Sequence, residues 1–107
     1  MDIRKQIHEI VTSHPVVLFM KGTPQFPQCG FSSRAVQMLK ACAAQDVVTV
    51  DVLANPDIRQ GIKDYANWPT IPQLYIGGEF MGGCDIMTEM YETGELKKSL
   101  ETVARTA

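Results

Sequence analysis

Five consecutive apolar residues, Val16-Val17-Leu18-Phe19-Met20, stand between Pro15 and Lys21. No polar residue alternates with them, so a strand built from this run has two apolar faces. Both faces must be covered, which is the situation of an interior strand with helices on either side of its sheet. A sheet with one wet face is thereby excluded. The rest of the chain has to supply neighbouring strands and two layers of helix.

The supply is visible on both sides of the run. Ile3, Ile7, Ile10 and Val11 recur at helical spacing with charges between them. They predict an amphipathic helix over about 2–13, with Asp2 as a cap and His14-Pro15 as the stop. After Lys21, the segment Gly22-Thr23-Pro24-Gln25-Phe26-Pro27 is a loop by composition. A second helix is expected from near Gly30, with Val36, Leu39 and Ala43 on its inner face. Val47 to Val52 reads as a second strand. Asn55-Pro56-Asp57 opens a third helix, with Asn55 as cap and Pro56 at the first helical position, running to about Tyr65.

Trp68-Pro69-Thr70-Ile71-Pro72 interrupts the pattern. Gln73 to Ile76 then reads as a strand, Gly77-Gly78 as a hairpin turn and Glu79 to Met81 as its short partner. Gly82-Gly83 leads into a helix at Cys84-Asp85, and Gly94 separates it from a last helix, Glu95 to about Arg105. The order is α-β-α-β-α-β-β-α-α. Strands joined through a helix are parallel with a right-handed crossover, and the hairpin adds an antiparallel pair. The expectation is an α/β thioredoxin fold, a four-stranded mixed sheet flanked by helices. Active groups should gather beyond the C-terminal end of the first strand, where Lys21 and Cys29 lie.

The 107 residues suffice for one domain with one core, expected to cover 1–107. A net charge of -2 gives no general attraction to nucleic acid or to an anionic membrane, so neither is expected as a partner. No segment has the apolar length of a membrane-spanning helix. The charged N-terminal segment does not read as a secretory signal. Three cysteines is an odd count without a regular framework. That fits free thiols in a reducing compartment, and the cytoplasm is expected, although an organelle matrix would look the same.

Cys29 carries the chemistry. It sits at a strand-to-helix junction, facing the free N–H groups and positive dipole end of the following helix. That setting favours thiolate, which is both the nucleophile and the metal ligand. Three positions on, where a C-x-x-C redox pair has its second thiol, stands Ser32. Cys42 lies further along the same predicted helix, roughly 20 Å away at 1.5 Å per residue. It cannot share a metal ion with Cys29 and reads as a small buried residue.

Cys29-Gly30-Phe31-Ser32 resembles the signature of the monothiol glutaredoxins, CGFS-type, in their short single-domain form. The likeness extends to Phe19-Met20-Lys21-Gly22-Thr23-Pro24 upstream, and to Trp68-Pro69-Thr70-Ile71-Pro72-Gln73 and Gly82-Gly83-Cys84-Asp85 downstream, all in the family's order. The resemblance implies glutathione as ligand. It also implies a [2Fe-2S] cluster bridged between two subunits, with Cys29 of each and one thiol from each glutathione as its four ligands. A homodimer in the cluster-bound state, a BolA-type protein and apo iron–sulfur proteins are the partners it implies.

The same resemblance assigns roles along the groove. Lys21 and Arg59 are candidates for the glycine-end carboxylate of glutathione, and for each alone the plain alternative is a solvated surface charge. Ile71-Pro72 resembles the family's cis-proline, whose geometry turns the Ile71 backbone outward to pair with the cysteine of glutathione like a short added strand. The helix start at Gly82-Gly83-Cys84-Asp85 can hold the γ-glutamyl carboxylate on free N–H groups, with Asp85 taking the adjacent ammonium. Asp85 can equally be a simple helix cap. Cys84 contributes its backbone, or a disulfide with Cys29 under oxidation. Phe31 and Trp68 are the apolar candidates beside the site. Two functions follow as expectations: an iron–sulfur carrier in cluster assembly, transfer or storage, and a glutathione-dependent thiol-disulfide oxidoreductase. A thioredoxin-like interaction module with an incidental thiol is the third possibility.

Overall fold

A computed structural model describes residues 2–106. The elements are α1 (Ile3–Ser13), β1 (Val16–Met20), α2 (Gly30–Ala41), β2 (Val47–Asp51), α3 (Pro56–Ala66), β3 (Gln73–Ile76), β4 (Glu79–Gly82), α4 (Cys84–Thr93) and α5 (Glu95–Thr106). The strands form one four-stranded sheet in the order β2-β1-β3-β4. β1 runs parallel to β2 and antiparallel to β3, and β3 is antiparallel to β4. This is the thioredoxin-like α/β arrangement expected from the element order.

All five residues of β1 are buried, as a strand covered on both faces must be. Their alternation divides the core. Val16, Leu18 and Met20 point into a layer with Val36 and Leu39 of α2, Met87 of α4 and Leu96 of α5. Val17 and Phe19 point the other way, against Ile7 and Val11 of α1, Ile58 and Ile62 of α3 and Tyr75 of β3. Full burial of one such side chain is worth roughly 1.5–3 kcal/mol. Truncating Leu18 to Ala should therefore cost about 2–5 kcal/mol.

Several helix ends follow the expected chemistry. Asp2 caps α1, its carboxylate accepting from the Arg4 N–H at 3.0 Å. Pro56 occupies the first turn of α3, and Asn67 closes that helix in the left-handed conformation. Gly94 does the same for α4.

Two local expectations, Ala43 and Asp85, need correction, and a third, the Asn55 cap, holds in position only. Ala43 is not on the inner face of α2. The helix ends at Ala41, and Ala43 is exposed with φ of 56°. Its N–H donates to the Lys40 carbonyl and that of Ala44 to Leu39, the paired bonds that terminate a helix through a left-handed residue. The inner face is instead Ala35, Val36, Met38 and Leu39, with Cys42 beyond the end. Asn55 stands at the cap position of α3, but its side chain makes no capping bond. Its amide donates to the Asp51 carbonyl at 3.0 Å, a competing backbone acceptor one turn back. Asp85 is not the cap of α4, because Gly83 holds that position and Asp85 falls within the first turn.

Candidate functional site

The C-terminal end of β1 delivers Lys21 to one end of the sheet. From there the backbone turns through Gly22–Gln28, a loop that closes on itself. Gly22 bridges to Pro27, the Gln28 N–H donates to the Lys21 carbonyl at 2.9 Å, and the Gly22 N–H reaches the Asp51 carboxylate at 3.0 Å. Gly22 takes φ of 89°, and a Cβ there would come within 2.5 Å of the Phe26 carbonyl oxygen. The closure sets Cys29 at the N-cap of α2, in extended conformation.

Cys29 is thereby aimed at the helix's unpaired N–H groups. The Ser32 N–H lowers its pKa most. The Phe31 N–H, the positive charge of Lys21 and the Ser32 hydroxyl add to this, and partial burial acts against them. The net shift is below the ordinary thiol range. Cys84, at the first position of α4, shifts the other way because burial disfavours its thiolate. Cys42 is shifted up for the same reason. It caps the far end of α2, buried in the layer shared with α4 and α5. All three cysteines are free thiols.

These elements enclose a groove of about 440 Å³, within the roughly 300–1,000 Å³ of small-molecule sites. Lys21 and Cys29 form one side of it, with Phe31 on the first turn of α2. The segment Trp68–Pro72 forms a wall of it, and Gly83–Ile86 at the start of α4 complete the lining. The Ile71-Pro72 peptide bond is cis. Lys21, Cys29, Ile71, Pro72, Cys84 and Asp85 are thus brought together as the sequence led one to expect. Phe31 is 61% exposed at the rim, and Phe26 is 75% exposed on the neighbouring loop.

Arg59 is the exception among the candidates. It lies on α3 but does not line the groove, whereas Lys63 does. The two are four residues apart, so they share a helix face and Arg59 stands one turn away. That spacing was the available signal for Lys63. Thr70 and Pro69 also line the wall without having been singled out. Trp68 packs its indole against Gly83, where a Cβ would approach Trp68 Nε1 to 3.1 Å. Glycine at that position lets the wall and the start of α4 meet.

The arrangement suits a small zwitterionic or anionic peptide. The lining combines the ammonium groups of Lys21 and Lys63, the N-terminus of α4 with the Asp85 carboxylate, the apolar surface of Trp68, Ile71 and Pro72, and one activated thiol. For a metal, the described residues contain no cluster of three or more His, Cys, Asp or Glu. Cys29 and Cys84 both line the groove, and of the two only Cys29 is shifted towards thiolate, so a single copy presents one activated sulfur there.

Comparison with known proteins agrees with this geometry. A family model described as Glutaredoxin matches residues 16–81. The chain is 55% identical over 100 residues to a chloroplastic monothiol glutaredoxin-S7 of Oryza sativa subsp. japonica, covering 94% of this chain and 59% of that protein. It is 49% identical over 100 residues to glutaredoxin 4 of Escherichia coli strain K12, covering 94% of this chain and 86% of the other. Among solved structures, a buckwheat glutaredoxin–glutathione complex superposes with a TM-score of 0.83 at 26% identity, covering 95% of this chain and 90% of that one.

Proposed function

This chain belongs to the CGFS-type monothiol glutaredoxins, and from that membership we propose that it binds glutathione in the groove and carries a [2Fe-2S] cluster shared between two copies. The observation that carries the reading is the single activated thiol. Cys29 stands at the mouth of a formed groove, and the position of a resolving thiol is filled by Ser32, which is fully buried. A [2Fe-2S] centre takes four thiolate ligands. Two copies of Cys29 and two glutathione thiols meet that number, and the cluster is cargo to be received and passed on.

The residues divide the work of holding glutathione. Lys21 and Lys63 face its glycine-end carboxylate, with Arg59 one turn along α3 in support. The Ile71 backbone pairs with its cysteine, and Trp68 and Pro72 wall the groove. The N–H groups opening α4, including that of Cys84, take the γ-glutamyl carboxylate, and Asp85 takes the ammonium. The cytoplasm, a BolA-type partner and apo iron–sulfur proteins as recipients belong to the same reading.

The lowered pKa of Cys29 favours a second reading, thiol-disulfide exchange. The Cys29 thiolate attacks the glutathione sulfur of a glutathionylated protein, and the protein thiolate leaves. The resulting Cys29–glutathione disulfide is attacked by a second glutathione thiolate, which restores Cys29 and releases oxidised glutathione.

Anaerobic reconstitution with iron, sulfide and glutathione tests the first reading, followed by visible absorbance, circular dichroism and size exclusion. The expected product is a coloured dimer with one cluster, absent without glutathione and absent in Cys29→Ser. A colourless monomer would overturn it, and a Cys29-dependent deglutathionylation assay would then decide the second.

A further inference from the structure

Gln73 is a polar residue in an apolar place. It is the first residue of β3, pairs with Phe19 of β1, and is fully buried. A primary amide buried in this way is costly unless its hydrogen-bonding groups are met. They are met by the groove's own wall. Gln73 Nε2 donates to the Trp68 carbonyl at 3.1 Å and to the Thr70 carbonyl at 3.2 Å. The Tyr75 hydroxyl donates to Gln73 Oε1 at 3.3 Å.

The orientation of the amide follows from its neighbours. Carbonyl oxygens only accept, so the nitrogen must face Trp68 and Thr70. Burial holds the Tyr75 phenol far above its ordinary range, with Tyr65 adding to the shift, so the hydroxyl stays protonated and can donate. Tyr75 is itself immobilised, edge-on to Phe19 and in ring contact with Tyr65 and Phe80. A rigid aromatic cluster thus fixes one amide, and that amide holds two carbonyls of a segment with no regular secondary structure.

We propose that Gln73, oriented by Tyr75, is a positioning residue that sets where the Trp68–Pro72 wall stands over the groove. The inference rests on the glutathione reading above for its functional consequence. Gln73 does not line the groove, so its influence passes through the carbonyls of Trp68 and Thr70. The groups that lower the Cys29 pKa are Lys21, just beyond β1, and Phe31 and Ser32 on α2, none of them in this wall. The two halves of the site are therefore separable by experiment.

The test uses the full chain with Gln73→Met, which keeps the size and removes both donors. Trp68 is the chain's single tryptophan, so acrylamide quenching of its fluorescence reads the wall without ligand. Calorimetric titration with reduced glutathione reads the groove, and the alkylation rate of Cys29 reads the thiol side. The expected result is a rise in Trp68 quenching, glutathione binding weakened about tenfold, and unchanged Cys29 alkylation. Tyr75→Phe should shift the first two readings in the same direction by less. Unchanged quenching in a folded Gln73→Met protein overturns the proposal. So does increased quenching with unchanged glutathione affinity, because the wall would then move without consequence. If Gln73→Met does not fold, Tyr75→Phe is judged by the same readings. If the wild-type protein fails to bind glutathione, the ligand reading falls and quenching alone decides whether Gln73 places the wall.

Discussion

The Lys21 N–H donates to the Ser32 hydroxyl across 3.0 Å, joining the end of β1 to the first turn of α2. The bond lies where a dithiol site would keep its second sulfur. Ser32 therefore has a structural task as well as leaving Cys29 without a neighbouring thiol. Removing its hydroxyl strands a part-buried donor, and Ser32→Ala should lower stability by about 1–3 kcal/mol in urea titration. Ser32→Cys should recover a C-x-x-C pair and show an intramolecular disulfide by mass spectrometry after mild oxidation. Failure to form that disulfide would contradict the placement of this turn.

The thiols should separate in pH. Cys29 is shifted below its ordinary value and Cys84 above it, so iodoacetamide should modify Cys29 first, with its rate levelling off at the lower pH. The shift also carries a stability consequence. Between the folded and unfolded pKa values of Cys29, the unfolded chain keeps a proton that the native state has lost. Unfolding free energy then rises with pH across that window, is fully gained above the unfolded value, and is lost as pH falls through the folded one. Comparing urea midpoints of wild type and Cys29→Ser across the window checks the sign. A flat difference would count against an activated thiol.

Ala43 holds a left-handed conformation that glycine adopts without penalty. Ala43→Gly should stabilise the protein by roughly 1 kcal/mol, the usual excess for an L-residue at such a φ. An unchanged or lower urea midpoint would mean that α2 does not end as described.

Gly61 behaves in the opposite sense. Replacing a mid-helix glycine by alanine ordinarily helps by about 1 kcal/mol. Here a Cβ would fall 2.3 Å from Ile3 Cγ2 and 2.9 Å from Ile7 Cδ1, where α1 crosses α3. Gly61→Ala should therefore destabilise, by about 1–3 kcal/mol in thermal or urea melts. Gly30→Ala, with open space around its Cβ, serves as the control.

Lys63 and Arg59 test the charge side of the groove. Lys63→Gln should weaken glutathione binding by roughly two- to fivefold, as loss of a partly exposed ion pair does, and Arg59→Gln, one turn outside the groove, by less. The losses should shrink as salt is raised. A loss that salt leaves unchanged would point to packing instead of charge.

What could be read in advance depended on how local its cause was. β1 was legible because five adjacent residues carry the signal, and Cys29 because a strand-to-helix junction is a local event. Ala43 falls off the inner face, and Asn55 caps α3 by position without a side-chain capping bond, because backbone groups decide both: the Leu39 and Lys40 carbonyls in one case and the Asp51 carbonyl in the other. Lys63 was available through its spacing from Arg59, but one charge on a charged helix face does not announce a groove. Gln73 was readable as a strand residue. Its task was not, since the carbonyls it holds are defined by the fold of Trp68–Thr70. A glutamine at the head of a buried strand was the one hint.

The groove has no local origin either. Its sides come from the end of β1, the start of α2, one face of α3, the Trp68–Pro72 segment and the start of α4, so an unfolded chain has nothing with which to grip a ligand. Binding is then available to the native state alone, and the ligand acts as a structural support. At one hundred times its Kd it adds about 2.7 kcal/mol to folding. On the glutathione reading, a cell that depletes this small molecule would also remove part of what keeps the chain folded.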